Sequence, residues 1–174
     1  MTLLHKGAPA RNARPPVLYL DYDGVLHPDA AFVFRGKGVV LMREGHALFE
    51  CVPILERILD DFPAVRIVLA TSWVQALDFS RAKARLSAAL QCRVIGATFH
   101  RRHMNDVAFQ MLPRGVQILA DAQRRGCRWV AIDNDDELWP ASYRDRLVLT
   151  DPETGLLDTT VQRRLREKLE EVTC

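Results

Sequence analysis

No stretch of the 174-residue chain approaches the roughly 20 consecutive apolar residues that a membrane crossing requires. The four cysteines, Cys51, Cys92, Cys127 and Cys174, are scattered without a Cys-x-x-Cys pair, so they outline no disulfide framework and are read as reduced thiols. Charge of one sign is also lacking. Lysine and arginine total 24 against 22 aspartates and glutamates, a formal net charge of +2, which argues against a protein that coats nucleic acid or another polyanion. Residues 1–16 carry Lys6, Arg11 and Arg14 among prolines but no apolar core, so they read as a loose leader rather than a secretion signal. With no repeat or low-complexity block, the expectation is a cytoplasmic protein with no membrane contact and no obligate protein partner.

What is present suits one globular domain over residues 17–174, since 48% of residues are apolar and 26% charged. Short apolar runs at 17–20, 66–70, 92–96, 129–132 and 146–150 alternate with helical patterns at 46–62, 77–90, 113–125 and 159–172. Parallel neighbours need crossover helices, so the alternation predicts a doubly wound α/β fold with a mainly parallel five-stranded sheet. Apolar runs at 31–34 and 39–42 flank Arg35-Gly36-Lys37-Gly38 and predict a β-hairpin flap. No insertion is long enough for a separate cap domain.

The chemistry concentrates where the first strand ends. Val17-Leu18-Tyr19-Leu20 runs into Asp21-Tyr22-Asp23-Gly24, placing two carboxylates and a turn glycine where open α/β sheets hold their ligands. A twelve-residue calcium loop is excluded, because it would need glycine at Leu26 and an acid at Phe32. Two later strands also end in polar residues: Ile67 to Ala70 in Thr71-Ser72, and Trp129 to Ile132 in Asp133-Asn134-Asp135-Asp136.

In that order these segments resemble the motifs of the haloacid dehalogenase (HAD) superfamily of phosphohydrolases. The resemblance implies a Rossmann-like sheet and a Mg²⁺-dependent phosphomonoester phosphatase. It makes Asp21 the nucleophile that becomes an aspartyl phosphate, and Asp23 the general acid and then base. It assigns a phosphoryl-binding hydroxyl to Thr71, with Ser72 close behind, and the motif's basic residue to Arg114. It gives the metal to Asp21, the Asp23 carbonyl and Asp133, with Asp136 as a further candidate and Asp135 and Glu137 in a solvated turn. Gly24, His27 and Trp73 are candidate substrate contacts, and Trp73 and Trp139 could form an aromatic wall for a stacked base.

A nearer resemblance, to the HAD domains of Swiss Army Knife RNA repair proteins, rests on Leu20 to Pro28, Ile67 to Trp73, Val94 to Thr98, Val130 to Asp135 and Arg146 to Leu156. It implies a link to RNA repair and a phosphorylated substrate, either a small molecule or a nucleic-acid end. A receiver-like phosphoacceptor fits less well, because receivers place adjacent acids after the first strand and the acceptor after the third, where Gly96-Ala97-Thr98 stands here. A catalytically silent nucleic-acid-binding module would rely on Arg101, Arg102, Arg124, Arg125 and Arg128. His100-x-x-His103 lacks the neighbouring ligands of a zinc site.

Overall fold

The computed structural model describes residues 14–174; the leader expected over 1–16 lies almost entirely outside them. In chain order the strands are β1 (Val17–Leu20), β2 (Ala31–Phe34), β3 (Gly38–Leu41), β4 (Arg66–Leu69), β5 (Val94–Ala97), β6 (Trp129–Asp133) and β7 (Leu147–Leu149). The helices are α1 (Val52–Asp60), α2 (Trp73–Leu77), α3 (Phe79–Lys83), α4 (Ala88–Arg93), α5 (Asp106–Gln110), α6 (Arg114–Arg125) and α7 (Thr159–Thr173). Five strands form one all-parallel sheet in the order β5-β4-β1-β6-β7, and β2 and β3 pair as a separate antiparallel hairpin. Among the described residues no helix is long and apolar enough to cross a membrane.

The sheet is buried on both faces, which is why its strands read as unbroken apolar runs. Along β1 the side chains alternate. Leu18 and Leu20 join the larger core with Leu55 of α1 and Leu165 of α7, whereas Val17 and Tyr19 join Ile118 and Ala122 of α6. Central placement makes β1 the reference for the site. Leu20 lies level with Leu69 of β4 and with Ile132 of β6, so the residues that follow all three emerge side by side at one edge.

The helices depart from the sequence reading at identifiable residues. The segment expected as one helix over 77–90 instead holds the last residue of α2, all of α3 and the start of α4, because Asp78 adopts φ 88° and caps α3 through the Arg81 N–H, while Ser87 caps α4 through the Leu90 N–H. The helix expected from His46 begins at Val52, with Pro53 in the first turn, where its missing N–H costs nothing. Helix α5, to which the sequence reading assigned no element, is capped by the Asn105 side chain, which accepts from the Ala108 N–H.

The loop after β7 locks onto the loop after β1. The Thr150 hydroxyl donates to the Gly24 carbonyl at 2.7 Å, and the Leu156 N–H donates to the Val25 carbonyl at 3.0 Å. Gly155 allows this approach: its φ is +49°, and a Cβ there would stand 2.5 Å from the Val25 carbonyl oxygen. Gly155→Ala is expected to cost about 2–3 kcal/mol, lowering the melting temperature by roughly 5–10 °C. Gly36→Ala, at φ +79° with nothing within 4 Å, should cost far less. Equal melting temperatures for the two variants would refute the contact argument.

Candidate active site

Asp21 directly follows β1, Thr71 stands two residues past the end of β4, and Asp133 closes β6; all three are buried. Their carboxyl-end position brings together residues more than 100 apart in sequence. Arg114, the first residue of α6, reaches between the two acids. Its Nε lies 3.2 Å from Asp133 Oδ2 and its Nη2 3.9 Å from Asp21 Oδ1. The charges are close, but the orientation is not that of a hydrogen bond: Asp21 Oδ1, Arg114 Nε and Asp133 Oδ2 are all buried without a hydrogen-bond partner.

Burial dominates the electrostatics. Loss of hydration, reinforced by the neighbouring Asp23 charge, pushes the Asp21 carboxyl up to about 6, against the opposing pull of Arg114 and smaller ones from the Tyr22 backbone and the Thr71 hydroxyl. Burial and the Asp21 charge raise Asp133 well above the usual carboxylate range, again against Arg114. Burial alone would depress the Arg114 guanidinium, but Asp21 and Asp133 more than reverse this, so the arginine is held charged. The site is thus a desolvated anionic pair only partly compensated by one cation.

A family model described as the HAD domain in Swiss Army Knife RNA repair proteins matches residues 17–161. The chain belongs to this family. Comparison with the curated proteins and with the solved structures gave no match. Membership ties this HAD domain to a superfamily of hydrolases of phosphatase type.

The donor set of this HAD domain fits a hard divalent cation. Asp21 Oδ1 and Asp133 Oδ2 are two buried carboxylate oxygens with no proton donor, a costly arrangement that a dication would relieve. Among the described residues no three His, Cys, Asp or Glu side chains cluster as a metal site. Two carboxylates and a main-chain carbonyl, the set implied for Mg²⁺ here, do not require such a triad.

The remaining candidates separate clearly. Thr71 is buried beside Asp21, whereas Ser72 is exposed and lines a cavity of about 490 Å³ with Gln75, Arg114, Gln117 and Asp135. Gly24 acts as a turn residue at φ +67°, its Cα packed against the Asn134 side chain. Asp136 turns away: its carboxylate pairs with Arg144 at 2.8 Å on the surface. Asp135, read as part of a solvated turn, is exposed there with its Oδ1 accepting from the Glu137 N–H, and its charge adds to the field on Arg114 and Asp133.

His27 and Trp73 do not form an open substrate surface. They are 1% and 4% exposed, and both point ring nitrogens at Asp23. Trp139 is likewise no wall for a base; it is buried, with its indole N–H donating to the Tyr143 carbonyl. Gln117 was not anticipated. One turn beyond Arg114, its Oε1 lies 3.4 Å from Arg114 Nη1, while its amide N–H donates to the Phe109 and Leu112 carbonyls. The i, i+3 spacing from Arg114 was the available signal.

Arg101, Arg102, His100 and His103 line a separate cavity of about 650 Å³ with Val74 and Phe79. Arg124 and Arg125 are both engaged by the buried Asp121, so two of the five arginines that a silent nucleic-acid-binding module would use are already committed.

Proposed function

We propose that this HAD domain hydrolyses phosphomonoesters with Mg²⁺ as cofactor, through a phosphorylated Asp21. The observation that carries this reading is the pair of unpartnered carboxylate oxygens, Asp21 Oδ1 and Asp133 Oδ2, on either side of Arg114. Asp21, Asp133 and the Asp23 carbonyl would hold the cation, which when bound supplies positive charge to the phosphoryl oxygens and to the crowded acids. Arg114, held by Gln117, offers its guanidinium to the phosphoryl group, and the Thr71 hydroxyl lies beside Asp21 to donate to one of its oxygens. Ser72 lines the mouth.

An Asp21 oxygen attacks phosphorus as the ester P–O bond breaks, and Asp23 gives its proton to the departing oxygen. Asp23 then takes a proton from the water that attacks the aspartyl phosphate, releasing phosphate and restoring Asp21. The ionised nucleophile is available above about pH 6 in the metal-free site. The family's setting in RNA repair favours a nucleic-acid end as substrate, with a small phosphorylated molecule as the simpler alternative.

The deciding experiment supplies the purified protein with a panel of phosphomonoesters, including 3′- and 5′-phosphorylated oligonucleotides, in millimolar MgCl₂. Phosphate release is expected, falling at least about 100-fold when a chelator removes the metal. No release from any ester, or release indifferent to chelator, would defeat the reading.

A further inference from the structure

Asp23 differs from the other acids of the site in that both of its oxygens are held. The indole N–H of Trp73 donates to Oδ2 at 2.9 Å, and His27 Nε2 lies 3.1 Å from Oδ1. The histidine is oriented from behind. The Phe49 backbone N–H donates to His27 Nδ1 at 3.3 Å, which leaves Nε2 to carry the imidazole proton toward Asp23.

The support is strained and enclosed. Phe49 adopts φ 62°, a left-handed conformation that the Cβ of any non-glycine residue disfavours, and in it the backbone N–H meets His27. Its ring packs edge-on against His27, Trp73 and Tyr22, with centroids 4.9, 5.1 and 5.2 Å away. An isolated backbone bridge between Asp23 and His27 closes the same loop. Strain of this kind persists only where the surroundings over-determine it.

We infer that His27 and Trp73 are positioning residues, a donor-only clamp on Asp23 locked by Phe49, which aims the carboxyl at the leaving oxygen of the substrate. The inference rests on the proposed phosphatase reading. An indole N–H can only donate, and the Nε2 proton of His27 is fixed by the Phe49 contact, so neither clamp residue can take the Asp23 proton. That proton passes from Asp23 to the leaving oxygen as the P–O bond breaks, and Asp23 regains one from the attacking water.

Misaiming a general acid harms substrates in proportion to their need for protonation. The test therefore compares benzyl phosphate, whose alkoxide needs a proton, with 4-nitrophenyl phosphate, whose phenolate leaves unaided, by kcat/KM. For Trp73→Phe and His27→Leu the expected loss is about 30-fold on the benzyl ester and under about 5-fold on the nitrophenyl ester. His27→Gln, which returns an N–H donor, should recover most of the benzyl activity. Equal losses on both esters would mark a merely structural role and overturn the clamp.

A spectroscopic measurement serves should those variants fold poorly: in ¹⁵N-labelled protein the Trp73 indole N–H resonance should move upfield in Asp23→Ala, as a proton released from a charge-assisted hydrogen bond does. An unmoved resonance would also overturn the clamp. Wild-type protein that releases phosphate neither from these esters nor from the phosphorylated oligonucleotides in Mg²⁺ would overturn the phosphatase reading, and the clamp's catalytic role with it; turnover with equal losses would overturn the clamp alone.

Discussion

Asp21→Asn is expected to reduce kcat/KM for any phosphomonoester by about 10⁴-fold or more, because the amide can neither attack phosphorus nor carry the phosphoryl group. The loss should leave the fold intact. The Asp21 carboxyl is pushed up to about 6 by burial, so its ionised form is unfavourable in the folded, metal-free protein. An acid whose folded pKa is raised destabilises above that pKa, and the penalty disappears as pH falls toward the ordinary carboxylate range. Asparagine resembles the neutral carboxyl. The variant's melting temperature without metal should therefore equal or exceed that of the wild type at pH 8, with the difference narrowing by pH 5. Activity within tenfold of wild type, in protein shown by mass spectrometry to carry the substitution, would remove Asp21 from the mechanism.

Arg114→Met carries the second large effect. The guanidinium stands 3.2 Å from Asp133 and 3.9 Å from Asp21, and its removal leaves two buried carboxylates facing one another with no protein cation between them. Breaking a buried ion pair from one side typically costs about 3–5 kcal/mol, and a similar cost is expected here at pH 8 without metal. Both acids already titrate above the ordinary range, and losing Arg114 raises them further. The cost is then present where they are ionised and fades as pH falls through those raised values, so urea unfolding should show a large deficit at pH 8 and a small one at pH 5. Millimolar Mg²⁺ should restore part of the loss at pH 8, because the cation would bind the folded state alone. A deficit independent of both pH and Mg²⁺ would mean that Arg114 acts through packing and not through charge.

Much of the site was legible before any coordinates, because its parts lie at strand ends. An apolar run that stops at a polar residue is a local feature, and three of them in a parallel sheet must finish level if the register is level, as Leu20, Leu69 and Ile132 do. Arg114 came from the resemblance, which asks for a basic residue near the start of the helix before β6, and Pro113 marks that start. Asp136 was misplaced because a loop of four polar residues has no periodicity to say which side chain turns inward. Its pairing with Arg144, eight residues on, is decided by the 3₁₀ helix at Ala141–Arg146.

His27 and Trp73 show the same limit from another side. Both stand beside motif residues, and proximity in sequence suggested contact with substrate. Their direction is set by Phe49, which lies 22 residues from one and 24 from the other and holds a backbone angle that no propensity predicts.

What the amino-acid sequence determined by itself is the alternation of strands and helices and the acids at the strand ends, since hydrophobic period and turn chemistry act over a few residues. What only the tertiary structure decided is where each polar side chain points: Asp136 onto Arg144, His27 and Trp73 onto Asp23, Arg114 between two acids. Those directions follow from burial and charge among residues that folding alone brings within a few ångströms, where losing water makes each unpaired polar atom costly.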